Sequence, residues 1–168
     1  MYLKLNPFWV IFVISMVTIT YIVSELSRML GVNIPIASTI TWNAALHPEV
    51  HEFVTAPIFF AFGIMLALLV FPAPISYASI AVFTFGDSFA TIFGKTIGTH
   101  SFPYNKGKKI EGTLSAFVLA FLGALVFVNP IKALVGAATA MIVETLPAPI
   151  NDNITMPVFA GLAMALLL

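Results

Sequence analysis

Long apolar segments alternate with short polar ones along the whole chain. The first apolar segment, Phe8 to Val23, is closed by Glu25 and Arg28, and the second, Phe53 to Gly86, contains no charged residue. A helix needs about 20 predominantly apolar residues to cross a membrane. The first segment therefore predicts one membrane-spanning helix.

The second apolar segment is too long for one crossing and is interrupted by Phe71-Pro72-Ala73-Pro74. Proline lacks the backbone N–H and clashes with the preceding turn, so a continuous helix does not tolerate this sequence well. Two helices joined by a tight turn are predicted, at about Thr55–Phe71 and Ile75–Gly94. Later segments predict helices at Thr113–Val128, Ile131–Leu146 and Ile154–Leu168. The last would extend only about 22 Å, which is short for a hydrocarbon core of about 30 Å.

The composition places this pattern among membrane proteins. Hydrophobic residues make up 60% of the 168 residues and charged residues only 8%, compared with about 25% charged residues in typical soluble domains. We therefore predict an all-α fold, a polytopic integral membrane helical bundle of about six transmembrane helices that forms a single domain over residues 1–168. The absence of cysteine excludes disulfides, thiolate chemistry and cysteine-ligated zinc.

The few charged residues are concentrated in a central stretch, Gly86 to Thr113, which holds four of the seven basic and two of the seven acidic residues. If this stretch is cytoplasmic, the polar segments after the first and fifth helices lie on the same side, because two crossings separate each of them from it. Arg28 and the central lysines then fall inside, and Lys4, Lys132 and the N-terminus fall outside, as the positive-inside rule prefers.

Within the central stretch, small residues recur at every fourth position, at Gly86, Ala90, Gly94 and Gly98. They leave one helix face almost without side-chain bulk, which indicates close packing by a neighbouring helix or by a ligand. Asp87 adjoins this face within an apolar helix. A carboxylate inside the membrane costs about 2.5–3.5 kcal/mol on insertion scales and is usually functional. A structural pair with a lysine is the alternative.

Two more acids are predicted on the same membrane face. On the fifth helix, a face formed by Ala133, Ala137 and Ala140 ends in Glu144, and Asp152 follows eight residues later. Lysines beside carboxylates suit a nucleotide polyphosphate, because lysines contact phosphate oxygens and carboxylates hold Mg²⁺. The alternatives are that the lysines only anchor the loop to anionic lipid head groups, and that the acids belong to a helix cap and a turn.

A second polar cluster lies between the first two helices. His47 and His51 are four positions apart, a spacing that allows a shared metal ion. Pro48 lies between them, which favours an interfacial loop instead.

Two blocks of sequence carry a family pattern. The first is Gly86-Asp87, Ala90, Gly94, Gly98, Pro103-Tyr104-Asn105, Lys108 and Glu111-Gly112-Thr113, which follows G-D-x-x-A-x-x-x-G-x-x-x-G, P-Y-N-x-x-K and E-G-[ST]. The second is Val143 to Pro147 and Asn151 to Pro157, which follows V-E-[ST]-L-P and D-D-N-[LI]-T-[VM]-P. Glu25 and Arg28 match an E-x-x-R at the end of an early helix. Together these residues resemble the polyprenol kinase family, which includes dolichol kinase, phytol kinase and the CTP-dependent diacylglycerol kinase.

The resemblance implies a membrane-embedded lipid-alcohol kinase. Such an enzyme transfers the terminal phosphate of CTP, or of another nucleoside triphosphate, to an isoprenoid alcohol such as dolichol, phytol or geranylgeraniol, with Mg²⁺ or another divalent cation. The catalytic residues are expected to be Asp87, Glu111, Glu144 and Asp152, with Asp87, Glu111 and Asp152 as metal ligands. The residues expected to bind the nucleotide are Gly86, Ala90, Gly94, Lys95, Gly98, Tyr104, Asn105, Lys106, Lys108, Gly112 and Thr113.

The sequence departs from the family pattern in three places. Lys109 stands where Ser or Thr is usual, and Asn151 stands where an Asp is common, so one candidate metal ligand is neutral. Members usually carry a further N-terminal helix with a basic-His motif that is missing here. We therefore expect either a truncated chain or a minimal version of the family.

Two other functions are compatible with the same residues. A CDP-lipid synthase, which is a cytidylyltransferase, would use the same basic loop and carboxylates. A non-catalytic transporter or scaffold would use Asp87 and Glu144 as a proton or ion relay. The expected partners are the lipid alcohol, the nucleotide and membrane lipids, and not nucleic acid. The expected location is the cell membrane of a prokaryote or the endoplasmic reticulum of a eukaryote, with the active-site loops cytoplasmic.

Overall fold

The computed structural model describes residues 6–31 and 53–167, which contain six α-helices and one short β-hairpin. The helices are α1 (Pro7–Met29), α2 (Ala56–Val70), α3 (Ile75–Thr96), α4 (Ile110–Leu125), α5 (Pro130–Thr145) and α6 (Asp152–Ala165). The hairpin pairs β1 (Ser101–Phe102) with β2 (Asn105–Lys109) in antiparallel orientation. The all-α class is confirmed, and so are the two helices predicted on either side of the proline-containing turn.

The chain divides into two compact units, Met1–Ala61 and Phe62–Leu168. In the first unit, α1 begins after Asn6, whose side chain accepts a hydrogen bond from the backbone N–H of Phe8 at 3.1 Å. This bond satisfies one of the N–H groups that the first helical turn leaves without a partner. Pro7 at the first helical position has no N–H to satisfy. The local sequence therefore fixes where α1 begins.

The polar residues that close the first apolar segment lie inside α1, which continues to Met29. Glu25 is fully buried, and its Oε1 accepts hydrogen bonds from Nη2 of Arg28 at 2.6 Å and from the backbone N–H of Val54 at 2.9 Å. The hydroxyl of Tyr21 donates to the carbonyl oxygen of Val54 at 2.9 Å. These bonds extend α1 beyond its apolar segment and hold its last turns to the residues that precede α2.

The central polar stretch forms a hairpin where its composition predicts a loop. The backbone pairs Phe102 with Asn105 and Ser101 with Lys109, with an irregularity in the register between the two pairs. β2 reads Asn-Lys-Gly-Lys-Lys, which lacks the apolar–polar alternation by which a strand is recognised. α4 begins directly after it at Ile110, three residues earlier than predicted.

The small-residue face of α3 packs against protein in the second unit. A Cβ atom added to Gly112 of α4 would lie 2.6 Å from the carbonyl oxygen of Ala90 and 2.8 Å from Cα of Gly94. These distances are too short for any side chain, so α3 and α4 touch backbone to backbone. The interpretation that a helix packs closely against this face is confirmed.

Gly86, at the start of the small-residue pattern, and Gly98, which follows the end of α3, also contact protein. A Cβ atom added to Gly98 would lie 2.7 Å from Cγ of Lys109 in β2, and one added to Gly86 would lie 2.5 Å from the methyl group of Met141 in α5. The contribution of these residues to nucleotide binding stays a prediction. The small residues allow the hairpin, α4 and α5 to approach α3.

We expect Gly112→Ala to lower the stability of the second unit. The added methyl group would meet backbone atoms of α3, and overpacking of this kind costs about 1–3 kcal/mol. Gly94→Ala is the matched control, because its Cβ would lie 3.7 Å from the nearest neighbouring atom, an ordinary contact. Thermal unfolding in detergent should give a lower melting temperature for Gly112→Ala only. Equal melting temperatures for the two variants would contradict the close helix contact.

Two of the helices in the described residues, α1 and α3, are long and apolar enough to cross a membrane, and α2 and α4 are shorter apolar helices. Large apolar side chains are exposed along α1, including Phe8 (72% exposed), Trp9 (67%) and Val17 (64%). Such a surface is unfavourable in water and favourable in lipid. The bundle of about six membrane-spanning helices stays a prediction.

Candidate functional site

Lys108 lies between two carboxylates in the second unit. Its Nζ is 2.6 Å from Oε1 of Glu144 and 2.9 Å from Oδ2 of Asp152. Oε2 of Glu144 also accepts a hydrogen bond from the hydroxyl of Thr113 at 3.4 Å. The Glu144 side chain is 2% exposed, whereas those of Lys108 and Asp152 are 28% and 35% exposed. The cluster is therefore buried at Glu144 and open to small ligands at Asp152.

Three separate elements bring these side chains together. Lys108 comes from β2, Glu144 from the last turn of α5 and Asp152 from the first turn of α6. The side chain of Asn151 caps α6 by accepting a hydrogen bond from the backbone N–H of Asn153 at 3.0 Å. A carboxylate in the first turn and a cation near a helix carboxyl end both interact favourably with the helix dipole. The amino end of α6 thus stabilises the charge of Asp152, whereas the carboxyl end of α5 disfavours the charge of Glu144, which the ammonium group of Lys108 balances.

The acids determine the charge of Lys108. Burial alone would lower the pKa of its ammonium group, but the hydrogen bonds and negative charges of Glu144 and Asp152 outweigh burial and raise that pKa above its ordinary value. Lys108 is therefore protonated throughout the physiological pH range and acts as a fixed positive charge.

Asp87 lies beside this cluster on α3. The charges of Asp152, Lys108 and Glu144 all act on it. Its carboxylate is half-buried and accepts no hydrogen bond from the residues that the structure describes. Lys108, whose charge acts on Asp87, makes its ion pairs with the other two acids. Asp87 is thus a carboxylate next to the cluster with unused hydrogen-bonding capacity.

Glu111 lies apart from the cluster, on the first turn of α4. Its Oε1 accepts hydrogen bonds from the hydroxyl of Thr99 at 2.6 Å and from the backbone N–H of His100 at 3.0 Å. Nδ1 of His100 is also 2.6 Å from the same oxygen. Glu111 therefore fixes the loop that leads into β1.

The other predicted nucleotide-binding residues differ in their surroundings. Lys95 and Lys106 are exposed and have no ion-pair partner within residues 6–31 and 53–167. Tyr104 and Asn105 instead contact Thr145 at the end of α5. The two lysines are thus available to a ligand, whereas the hairpin tip is hydrogen-bonded to the end of α5.

The carboxylates fit a metal ion that is shared with a bound phosphate. In the part of the chain that the structure describes, no group of three His, Asp or Glu side chains is placed to hold a metal by itself, so the predicted set of Asp87, Glu111 and Asp152 does not form one group. Mg²⁺ in phosphate-transfer sites is usually held by one or two carboxylates together with phosphate oxygens and water. Asp87 and Asp152 are the two carboxylates that would hold such an ion. His47 and His51 lie outside the described residues.

The chain is similar to plant proteins named phytol kinase and farnesol kinase. It is 29% identical over 138 residues to probable phytol kinase 2, chloroplastic, of Glycine max, a match that covers 71% of this chain and 47% of the relative. Identity with probable phytol kinase 1, chloroplastic, of the same plant is 32% over 133 residues, covering 68% and 44%. Identity with farnesol kinase, chloroplastic, of Arabidopsis thaliana is 27% over 139 residues, a match that covers 72% of this chain and 45% of the relative. The resemblance to the polyprenol kinase family is confirmed.

The chain spans about half the length of these relatives from the polyprenol kinase family. No family model matches the chain, and no solved structure matches it. The match to the relatives covers about 70% of this chain, whereas the two family blocks occupy less than half of it. Sequence similarity therefore extends beyond the blocks that carry the polyprenol kinase pattern.

Sequence reasoning did not single out three residues at the site. Thr145 lies inside the V-E-[ST]-L-P pattern of the polyprenol kinase family, so the pattern itself was the available signal. Thr99 and His100 bind Glu111 only because the loop before β1 folds back onto α4. Nothing in their spacing indicates that contact, since Thr99 and His100 lie 12 and 11 positions before Glu111, across irregular chain and the hairpin.

Proposed function

We propose that this protein is an integral membrane kinase that transfers the terminal phosphate of a nucleoside triphosphate to the hydroxyl group of an isoprenoid alcohol. The observation that carries the proposal is the ion-pair cluster of Lys108, Glu144 and Asp152 with Asp87 beside it. It occurs in a chain that is similar to proteins named phytol kinase and farnesol kinase.

The net charge of the cluster supports a metal–nucleotide complex as its ligand. Asp87, Glu144 and Asp152 contribute three negative charges when ionised and Lys108 contributes one positive charge, which leaves a formal charge of −2. A phosphate alone would be repelled by this excess, whereas a divalent cation would balance it. The exposed Lys95 and Lys106 are then available to phosphate oxygens at the edge of the site.

The reaction requires positioning more than covalent chemistry from the protein. The alcohol oxygen forms a bond to the terminal phosphorus, the bond from that phosphorus to the bridging oxygen breaks, the hydroxyl proton passes to a carboxylate, and the nucleoside diphosphate leaves. When bound, Mg²⁺ would neutralise charge on the phosphate oxygens. Glu144 holds Lys108, whose fixed positive charge would stabilise the negative charge of the transferred phosphate. Asp87 and Asp152 would supply carboxylate oxygens to the metal.

A site near the membrane surface would serve both substrates. The alcohol carries its hydroxyl on a hydrocarbon chain that partitions into lipid, whereas the nucleotide is soluble in water. Asp87 lies on α3, which is long and apolar enough to cross a membrane, and Lys108 lies on the polar hairpin that follows it. The cluster therefore joins a membrane-type helix to a polar segment.

The protein purified in detergent should phosphorylate an isoprenoid alcohol when Mg²⁺ and a nucleoside triphosphate are supplied. The assay uses CTP or ATP labelled in the terminal phosphate with phytol, farnesol, geranylgeraniol, dolichol and diacylglycerol as acceptors. We expect label in a lipid monophosphate, a faster reaction with CTP than with ATP, and no product after chelation of the metal. The preference for CTP rests on the family resemblance, so equal rates with ATP would remove that part alone.

The same assay separates the kinase from the other functions. Release of pyrophosphate with formation of a CDP-lipid would identify a cytidylyltransferase. A folded protein that binds no nucleotide and transfers no phosphate to any acceptor would contradict the kinase proposal.

A further inference from the structure

Two hydrogen bonds join the tip of the hairpin to the last residue of α5. The hydroxyl of Tyr104 donates to Oγ1 of Thr145, and Nδ2 of Asn105 donates to the carbonyl oxygen of Thr145, each at 3.1 Å. Thr145 is 4% exposed. Its hydroxyl donates in turn to the carbonyl oxygen of Ile142 at 2.8 Å. The helix therefore fixes the position of Oγ1, which accepts the hydrogen bond from Tyr104.

These bonds lie next to the ion pair in both segments of the chain. Thr145 directly follows Glu144, and Asn105 precedes Lys108 by three residues in β2. Oδ1 of Asn105 also accepts a hydrogen bond from the backbone N–H of Gly107 at 3.2 Å. A single amide side chain therefore connects the turn before Lys108 to the end of α5.

The carbonyl group of Thr145 has a structural need for such a donor. The last four carbonyl groups of an α-helix have no partner within the helix, and the chain leaves α5 at Leu146 in an extended conformation. Asn105 meets this need from another segment. The contact is thus a helix cap supplied by the hairpin, and Glu144 occupies the helical turn that it fixes.

We propose that Thr145 is a positioning residue for the phosphate-transfer site, and that Tyr104 and Asn105 hold the hairpin on Thr145 rather than contacting the nucleotide. This inference rests on the proposed kinase function. Without these bonds, the side chains of Tyr104 and Asn105 would no longer hold the hairpin tip against α5. Lys108 would then sample positions away from Glu144. The nucleotide would then meet a less ordered lysine, which weakens binding more than it slows transfer.

The test combines kinetics with a measurement that needs no enzymatic activity. We expect Thr145→Val and Tyr104→Phe each to raise the KM for the nucleotide by about 2- to 10-fold, the effect of one lost hydrogen bond, with a smaller change in kcat. Thr145→Ser, which keeps the hydroxyl, should restore the KM. Because both substitutions remove the same bond, the double variant should be no worse than either single variant. Tyr77→Phe is the matched control, since no hydrogen bond to the Tyr77 hydroxyl exists among the described residues.

A spin label reports on the hairpin directly. The protein has no cysteine, and Gly107 is exposed with only Asn105 Oδ1 near its Cβ position, at 3.5 Å. A nitroxide on Gly107→Cys should become more mobile in the Thr145→Val and Tyr104→Phe backgrounds, and not in Tyr77→Phe. Tyr104 is 53% exposed, so its variant should fold even if the buried Thr145 variant does not.

Two results would overturn the inference. An unchanged label spectrum in both variants would mean that Thr145 does not hold the hairpin. Additive KM effects in the double variant would mean that Tyr104 has a contact of its own with the nucleotide. If no kinase activity is found, the proposed function fails, whereas the label mobility still decides whether Thr145 fixes the hairpin.

Discussion

Lys108→Met is expected to destabilise the protein by about 3–5 kcal/mol and to remove the proposed kinase activity. The substitution keeps the volume of the side chain but leaves Glu144, whose side chain is 2% exposed, without its positive partner. Removing one member of a buried ion pair costs this much because the remaining charge stays desolvated. The measurement is thermal or denaturant unfolding together with phosphate transfer on the same preparation.

A charge-matched double variant separates stability from catalysis. Lys108→Met combined with Glu144→Gln removes both charges, so much of the lost stability should return. Activity should stay absent, because the fixed positive charge is missing. Lys106→Met is the control, since Lys106 is exposed and has no ion-pair partner among the described residues, and its melting temperature should be unchanged. A double variant that regains activity would show that the cluster serves the fold alone.

Asp87→Asn is expected to reduce turnover by at least about 100-fold, the usual effect of losing one preorganised electrostatic partner. The amide has the size of the carboxylate but only one acceptor oxygen and no charge to hold Mg²⁺. Asp87 accepts no hydrogen bond from the described residues, so its replacement breaks no structural contact among them. The melting temperature should therefore be unchanged or higher.

Glu111→Gln provides the comparison for Asp87. Its carboxylate binds Thr99 and His100 outside the ion-pair cluster, so we expect a loss of less than about 10-fold. A destabilised Asp87→Asn protein with normal turnover would assign Asp87 a structural role. Similar losses in the two variants would mean that the loop before β1 is as important to the reaction as α3.

The helices could be predicted because long apolar runs favour helices and the proline-containing turns mark where they end. Counting crossings also predicted that Asp87, Glu144, Asp152 and Lys108 lie together, but the same count placed Glu111 with them. The ion pairs themselves could not be predicted, because they depend on the register of β2 against the end of α5. That register is set by the Tyr104 and Asn105 contacts, and neither residue type has a spacing rule that reveals its partner.

Glu111 shows where the sequence misleads. The family motif includes Glu111 and Gly112, and the sequence predicts that both lie in a loop before the fourth helix. From such a loop, the side chain of Glu111 could lie beside the other acids. In the structure both residues lie on the first turn of α4, and the contact of Gly112 with Ala90 and Gly94 fixes the rotation of that helix. Residues one position apart point about 100° apart on a helix. With Gly112 against α3, Glu111 is directed to the preceding loop.

The ion pair between Lys108 and Asp152 joins residues that are 44 positions apart in the chain. At a synthesis rate of about 5–20 residues per second, Lys108 would leave the ribosome about 2–9 s before Asp152. Until Glu144 emerges, 36 positions after Lys108, its ammonium group has neither acid as a partner and is available to anionic lipid head groups, which retain basic segments on the cytoplasmic side. Lys108 would thus have two successive roles. It would first help to orient the growing chain and would later supply the positive charge of the folded site.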